Sequence, residues 1–291
     1  MNFSYLFIVI AIVALFVFFK LLKKTSSMLK STFLFLLLFT ILGTGFVWDN
    51  QNPGQVTNAV SSLKNLITRT NDQTSSFSDN GTQMPIIKIK DRVLLDAPAV
   101  SQFPELPRGC EVTSLAMLLS STGLKVDKLK LAAQIKKEDT FFNTVGGKVF
   151  FGNPNAGFVG NMYDFSKPGL GVYHTPIKEL AEKYLPGKID DLTGSDFEDL
   201  KIHLSDNRPV WVIINTTYQK LEDNQFQTWM TPSGPIKITY KEHSVLLTGY
   251  DKNNVYFNDP LTGEKNKKAP IKDFKESWVQ MGRQAITYLP S

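Results

Sequence analysis

Residues 3–19, FSYLFIVIAIVALFVFF, and residues 33–48, FLFLLLFTILGTGFVW, carry no charged side chain. Two such runs back to back constrain the chain more than any other feature. Neither can stay exposed in water, and no amphipathic partner lies nearby to bury them. Each is near the short end of the ~17–25 residues that cross a bilayer, and Leu21 and Leu22 extend the first. The expectation is a pair of transmembrane helices, 3–22 and 31–48, making up a membrane segment over 1–48. Lys20, Lys23, Lys24 and Lys30 all fall between the two uncharged runs, in and beside the loop that joins the helices. By the positive-inside rule that loop is cytoplasmic, so everything after Trp48 lies outside the cell membrane. A start at Met28 would instead make MLKSTFLFLLLFTILGTG a signal peptide, with Gly43 and Gly45 near its cleavage point. Both readings export the rest of the chain.

The same lysines explain the charge. The formal net charge is +5, and residues 1–48 hold four lysines and no acid, which leaves +1 for residues 49–291. The basic balance therefore belongs to a membrane flank. No basic stripe with interleaved aromatics follows, so nucleic acid is not an expected partner. Membrane lipid is, and nothing in the sequence calls for an obligate oligomer.

Residues 49–84 read as a stalk and linker. Val56, Val60, Leu63 and Ile67 recur at helical spacing, and TRTNDQTSSFSDNGTQ (68–83) is small and polar. A globular domain is expected over 85–291. PIIKIKDRVLL, opened by Pro85, reads as extended. Helical patterns occupy 111–122, 127–137, 175–185 and 195–206, and strand patterns dominate from 209: PVWVIIN, IKITY, HSVLLTGY, VYFND and QAITYL, with a short helix IKDFKESW. Helices first and antiparallel strands after make an α+β fold. FFNTVGGKVFFGNPNAGFVGNMYDF, rich in glycine and aromatics, is read as a long loop able to line a cleft.

Cys110 is the only cysteine in 291 residues. It excludes an internal disulfide, and alone it cannot build a thiolate zinc site or an iron–sulfur cluster; no metal or cofactor is expected. It stands between Gly109 and an apolar helix pattern carried by Val112, Leu115, Ala116, Leu118 and Leu119. A thiol in the first turn of a helix faces unpaired N–H groups and the positive end of the dipole, which favours the thiolate. Gly109 would let a substrate backbone approach. Of the three histidines, His203 reads as a half-exposed helical residue and His174 as a loop residue before a Thr175–Pro176 helix start. His243 opens a strand apolar enough to be buried on both faces. Asp259, sixteen residues on, ends the next strand before Pro260. A four-residue hairpin loop turns Asn258 toward His243, whereas a three-residue loop turns Asp259 toward it, so spacing leaves both open. Gln102 is a candidate side-chain donor for an oxyanion.

Gln102, PELPRGCEVTSLAMLL, GNPNAGFVG, PVWVIIN, HSVLLTGYD and NDPLTG, in that order, resemble the family-39-like cysteine peptidases. These are stand-alone relatives of the domain that trims double-glycine leaders from bacteriocins. The resemblance covers roughly 93–289. It implies a papain-like fold acting on a peptide or protein substrate. In it Cys110 is the nucleophile, His243 the general base and acid, Asp259 the orienting carboxylate and Gln102 part of the oxyanion hole. It therefore favours Asp259 over Asn258 and implies an odd-length hairpin loop or an equivalent bulge. The chain departs from the bacteriocin enzymes in lacking an ATP-binding motif and transporter spans, and their double-glycine substrate does not carry over. A catalytic pair would bring the sulfur within about 3–4 Å of a His243 ring nitrogen. The competing functions are a non-catalytic peptide- or wall-binding module of the same fold, and a wall-peptide amidase or transpeptidase.

Overall fold

The computed structural model describes residues 88–290. The expected transmembrane pair, stalk helix and linker all lie outside the described residues. Among the described residues, no helix is long and apolar enough to cross a membrane.

Strands carry the centre of the domain. β1 (Val93–Leu94), β6 (Ile189–Asp191), β7 (Val210–Asn215), β10 (Glu242–Tyr250), β11 (Asn254–Asp259), β12 (Glu264–Pro270) and β13 (Ala285–Tyr288) form one sheet. Its order is β12-β11-β10-β7-β13-β6, with β1 added to the end of β10, and every pairing is antiparallel. β7 and β10 are buried along their whole length, as runs of Val, Ile and Leu at the centre of a two-sided sheet require. Alternation divides them between two cores. Trp211, Ile213 and Leu246 pack with α1 (Cys110–Ser120), α2 (Lys128–Gln134) and α3 (His174–Glu182) on one face. Val210, Val212, Ile214, Val245 and Leu247 pack with α4 (Phe197–Ser205) and α5 (Ile271–Gln280) on the other.

α1 is buried on all sides. Every residue from Cys110 to Leu119 is inside, polar ones included. Five large apolar side chains on it, Val112, Leu115, Met117, Leu118 and Leu119, have no exposure, each worth about 1.5–3 kcal/mol relative to solvent. That burial fixes the position of the Cys110 turn.

Two expectations need correction. The glycine–aromatic stretch is not one loop: β3 (Asn143–Val145) and β4 (Lys148–Phe150) make a hairpin, extended by β8 (Gln227–Thr231) and β9 (Gly234–Ile238) into a second sheet of order β3-β4-β8-β9. β2 (Lys137–Glu138) and β5 (Phe158–Val159) add a short parallel pair. The hairpin follows from Gly146 and Gly147, whose φ values of 57° and 76° suit the tight turn between strands that twist right-handedly. Likewise α3 starts one residue earlier than Thr175. Tyr173 is the N-cap, and the Gln284 side chain accepts from the His174 N–H at 3.0 Å in place of a Thr175 cap.

The β10–β11 connection decides which residue faces His243. Tyr250 pairs with Val255, so the loop has four residues, yet the pairing shifts between Leu247 and Gly249. Thr248 is the extra residue of a bulge. Beyond it Leu246 pairs with Asn258. Continued along β10, this register sets Asp259 and His243 on one face, two residues apart. The bulge does what a three-residue loop would have done.

Candidate active site

α1 begins at Cys110, with Gly109 as an N-cap that offers no side chain. Gly109 is required by packing: a Cβ there would stand 2.5 Å from Leu106 Cβ. Two bonds seat this first turn. Trp211 Nε1 donates to the Glu111 carbonyl at 3.0 Å and Ser114 Oγ donates to the Ser244 carbonyl at 3.1 Å, while the Ser244 N–H is turned toward the Cys110 thiol, where it favours the thiolate. Both backbone groups of Ser244 thus turn toward α1. They are free to do so because β11 pairs with β10 only from Leu246 onward. The sulfur therefore lies beside the residue that follows His243.

His243 and Asp259 meet as expected. His243 Nε2 and Asp259 Oδ1 are 2.8 Å apart, and both side chains are almost wholly buried. Asp259 accepts further bonds from Tyr218 OH at 2.7 Å, Lys267 Nζ at 2.9 Å, Thr262 Oγ1 at 3.2 Å and the Leu261 N–H at 2.9 Å. Burial alone would raise this carboxyl, but His243, Tyr218 and Lys267 outweigh it and hold it far below the usual carboxylate range. Tyr218 reaches Asp259 from a turn in which its own φ is 56°, a left-handed conformation uncommon for a tyrosine. Asn258 faces the other way, its amide donating to the carbonyls of Ala97 and Pro98 at 3.0 and 2.8 Å.

Gln102 is buried, and its N–H donates to the Pro260 carbonyl at 2.8 Å, which ties it to the end of β11. Its Nε2 donates to the Pro107 carbonyl at 2.7 Å, leaving one amide hydrogen over, and its Oε1 has no partner. His174 and His203 stay apart from this group. His174 lies against Gln284 and Asp191, and half-buried His203 sits on α4. The cavities of about 290 and 640 Å³ are lined by none of Cys110, His243, Asp259 and Gln102.

The thiol departs from expectation. Among the described residues no hydrogen bond joins Cys110 to His243. The sulfur instead donates to Glu111 Oε2 at 3.3 Å. Nor is the thiol made acidic by the helix terminus: burial, then the charges of Glu111 and Glu242, push it well above its ordinary value. Cys110 is 7% exposed, and at that depth loss of solvation outweighs the dipole. Burial also raises Glu111 to about 7, although the Val172 N–H donates to its Oε1 at 2.6 Å. Glu242 is pushed well above its usual range by burial and by Glu111. Glu111, Glu242, Tyr218 and Lys267 were not singled out by the sequence reading. Only the first two carried a signal, as acids directly beside Cys110 and His243 in otherwise apolar elements.

The family model described as "Peptidase_C39 like family" matches residues 94–286. The chain belongs to that family. A Bacillus subtilis protein named "Uncharacterized protein YvpB" is 46% identical over 183 residues, which is 63% of this chain and 70% of that protein. A Bacillus anthracis crystal structure provisionally named a C39-like peptidase is 49% identical and aligns with a TM-score of 0.65, over 69% of this chain and 99% of that one. The mixed α+β fold matches that structural neighbour, and family membership suggests a peptidase.

Proposed function

We propose that this chain is a membrane-tethered, extracytoplasmic cysteine peptidase in which Cys110, His243 and Asp259 act as nucleophile, general base and acid, and orienting carboxylate. The observation that carries the reading is the 2.8 Å bond between His243 Nε2 and Asp259 Oδ1, one residue from the Ser244 N–H that is turned toward the Cys110 thiol. The apolar runs at 3–22 and 31–48 support the tether and the extracellular side of the cell membrane.

Because Nε2 is engaged by Asp259, Nδ1 is the ring nitrogen left for the thiol. The reading requires the Cys110 thiol to leave Glu111 and reach that nitrogen. The thiol proton passes to Nδ1, and sulfur attacks the scissile carbonyl carbon. The oxyanion takes donors from the Cys110 N–H and from the free hydrogen of the Gln102 amide. The amine leaves with the proton from His243, giving a thioester. Water then loses a proton to His243, attacks the thioester, and yields the carboxylic acid and the regenerated thiol.

A thiol-directed activity probe should label the wild type and not Cys110→Ser, and Cys110→Ala should change the peptides of the cell surface and medium. Labelling no stronger than the Ser variant, with unchanged peptides, would sink the proposal. The thiol–Glu111 bond and the raised thiol pKa favour a second reading, a binding module of the same fold. It requires that Cys110→Ala leave the biological role intact.

A further inference from the structure

Cys110 Sγ, a Glu111 carboxylate oxygen and a Glu242 carboxylate oxygen lie within 4.8 Å of one another, all in buried residues. Their chemistry differs from that of the His243–Asp259 pair. Among the described residues neither glutamate has an ion-pair partner. Two independent features point to something that these groups could hold. Glu242, 8% exposed, has a buried Oε1 with no hydrogen-bond partner. Gly171 runs under both carboxylates, where a Cβ would overlap Glu111 Oε1 and stand 2.7 Å from Glu242 Oε2. A glycine is needed there because any side chain would collide with both carboxylates.

We infer that Cys110, Glu111 and Glu242 form a site for a single zinc-class divalent cation. Zinc takes four ligands, accepts thiolate and carboxylate together, and binds sulfur at about 2.3 Å and oxygen at about 2.0–2.2 Å. Tetrahedral ligand atoms then lie roughly 3–4 Å apart, and the 3.3 Å between the Cys110 sulfur and Glu111 Oε2 already satisfies this. Water supplies the fourth position. Magnesium and calcium demand six or more oxygens and tolerate no thiolate, so they do not fit. An outer bond is also in place: the Val172 N–H holds Glu111 by Oε1 and leaves Oε2 toward the sulfur, and the Ser244 N–H is turned toward the thiol, where it favours the thiolate. The cation replaces the protons of the three acidic groups, so binding releases protons to solvent. Resting on the peptidase reading, the consequence is that a bound ion ties up the nucleophile and holds the enzyme inactive until it is removed.

The test uses cadmium and zinc on the full chain in detergent. Cadmium should add one equivalent with a thiolate-to-metal absorption band in the ultraviolet. Zinc should compete for it with proton release, and magnesium should not. The band should vanish in Cys110→Ser. In Glu242→Gln the metal affinity should fall at least ~10-fold, and in His243→Ala it should stay within about twofold of wild type. If Glu242→Gln fails to fold, X-ray absorption of the zinc-loaded wild type decides: one sulfur and two to three oxygens are expected, with no imidazole scattering. An imidazole signature, an undiminished affinity in a folded Glu242→Gln, or no cadmium band overturns the inference. A chain that hydrolyses nothing but shows the one-sulfur site keeps this inference and loses the peptidase. A chain that hydrolyses peptides but binds metal through imidazole loses only the cation site.

Discussion

Two acidic environments lie on either side of the start of β10. On one, Asp259 is buried among His243, Tyr218, Lys267, Thr262 and the Leu261 N–H, and is held ionised. On the other, Glu111 and Glu242 are also buried, have no ion pair among the described residues, and are raised. Both sides are closed to solvent, the glutamates within the denser packing, and burial favours the neutral acid on both. Donors decide the outcome: Asp259 has several, two of them on groups able to carry positive charge, whereas Glu111 has the Val172 N–H and the Cys110 thiol and Glu242 has no donor among the described residues. One carboxylate can thus orient an imidazole while two others, a few ångströms from the same thiol, retain protons until a cation takes their place.

The sharpest way to break this comparison is to remove the ionised member. Asp259→Ala leaves His243 without its orienting acceptor and Lys267 and Tyr218 without their shared partner. The rate of Cys110 labelling by an electrophilic peptide probe at pH 7 should fall roughly 10²–10⁴-fold, the range seen when a triad carboxylate is lost. An unchanged rate would make the His243–Asp259 bond structural.

The raised member is tested by pH. Glu111 stands near 7 in the fold against 4.5 when unfolded. Its contribution is fully present below pH 4.5 and is lost as pH rises through about 7, because the unfolded chain releases the proton first. With chelator present, denaturant titrations should show Glu111→Gln gaining on wild type across that window by roughly 2–3 kcal/mol, then running parallel above it. Asp259 has the opposite sign: its lowered value adds stability above the unfolded 3.8 that is lost as pH falls below it. A gap that is constant with pH would show that Glu111 is ionised throughout.

Asn258 separates position from role. It was the alternative partner for His243, but its amide holds Ala97 and Pro98 instead. Asn258→Ala should cost about 1–3 kcal/mol through the two unsatisfied carbonyls, read by denaturant midpoint, with probe labelling of Cys110 unchanged. A labelling loss comparable to that of Asp259→Ala would erase the distinction between the two neighbours.

What was legible in the sequence follows the same physics. The helix from Cys110 and the strands from Val210, Glu242 and Asn254 were readable because their apolar patterns are long and dictated by burial. The β3–β4 hairpin was missed although Gly146–Gly147 is a hairpin signal, since the flanking strands are only three residues each and mostly exposed. The choice between Asn258 and Asp259 turned on the extra residue Thr248, and a bulge leaves no periodic trace. The thiol's protonation could not be read at all. It depends on Glu242 and Glu111 converging across α1 and β10, a contact between residues 131 apart in the chain.

The smallest effect tests how far Asp259 relies on its exposed side. Lys267 is 21% exposed, so solvent screens much of its attraction for Asp259. Lys267→Met should remove no more than about 1 kcal/mol at pH 7, and it should move the acid unfolding midpoint up in pH because one of the donors that lower Asp259 is gone. Tyr218→Phe should act in the same direction by a similar amount, since a single hydroxyl bond contributes about 0.5–1.5 kcal/mol. The double variant should exceed the sum of the two, because Tyr218 OH and Lys267 Nζ are themselves 3.1 Å apart and each can cover for the other on Asp259 Oδ2. Strict additivity would mean that the two donors act on Asp259 independently.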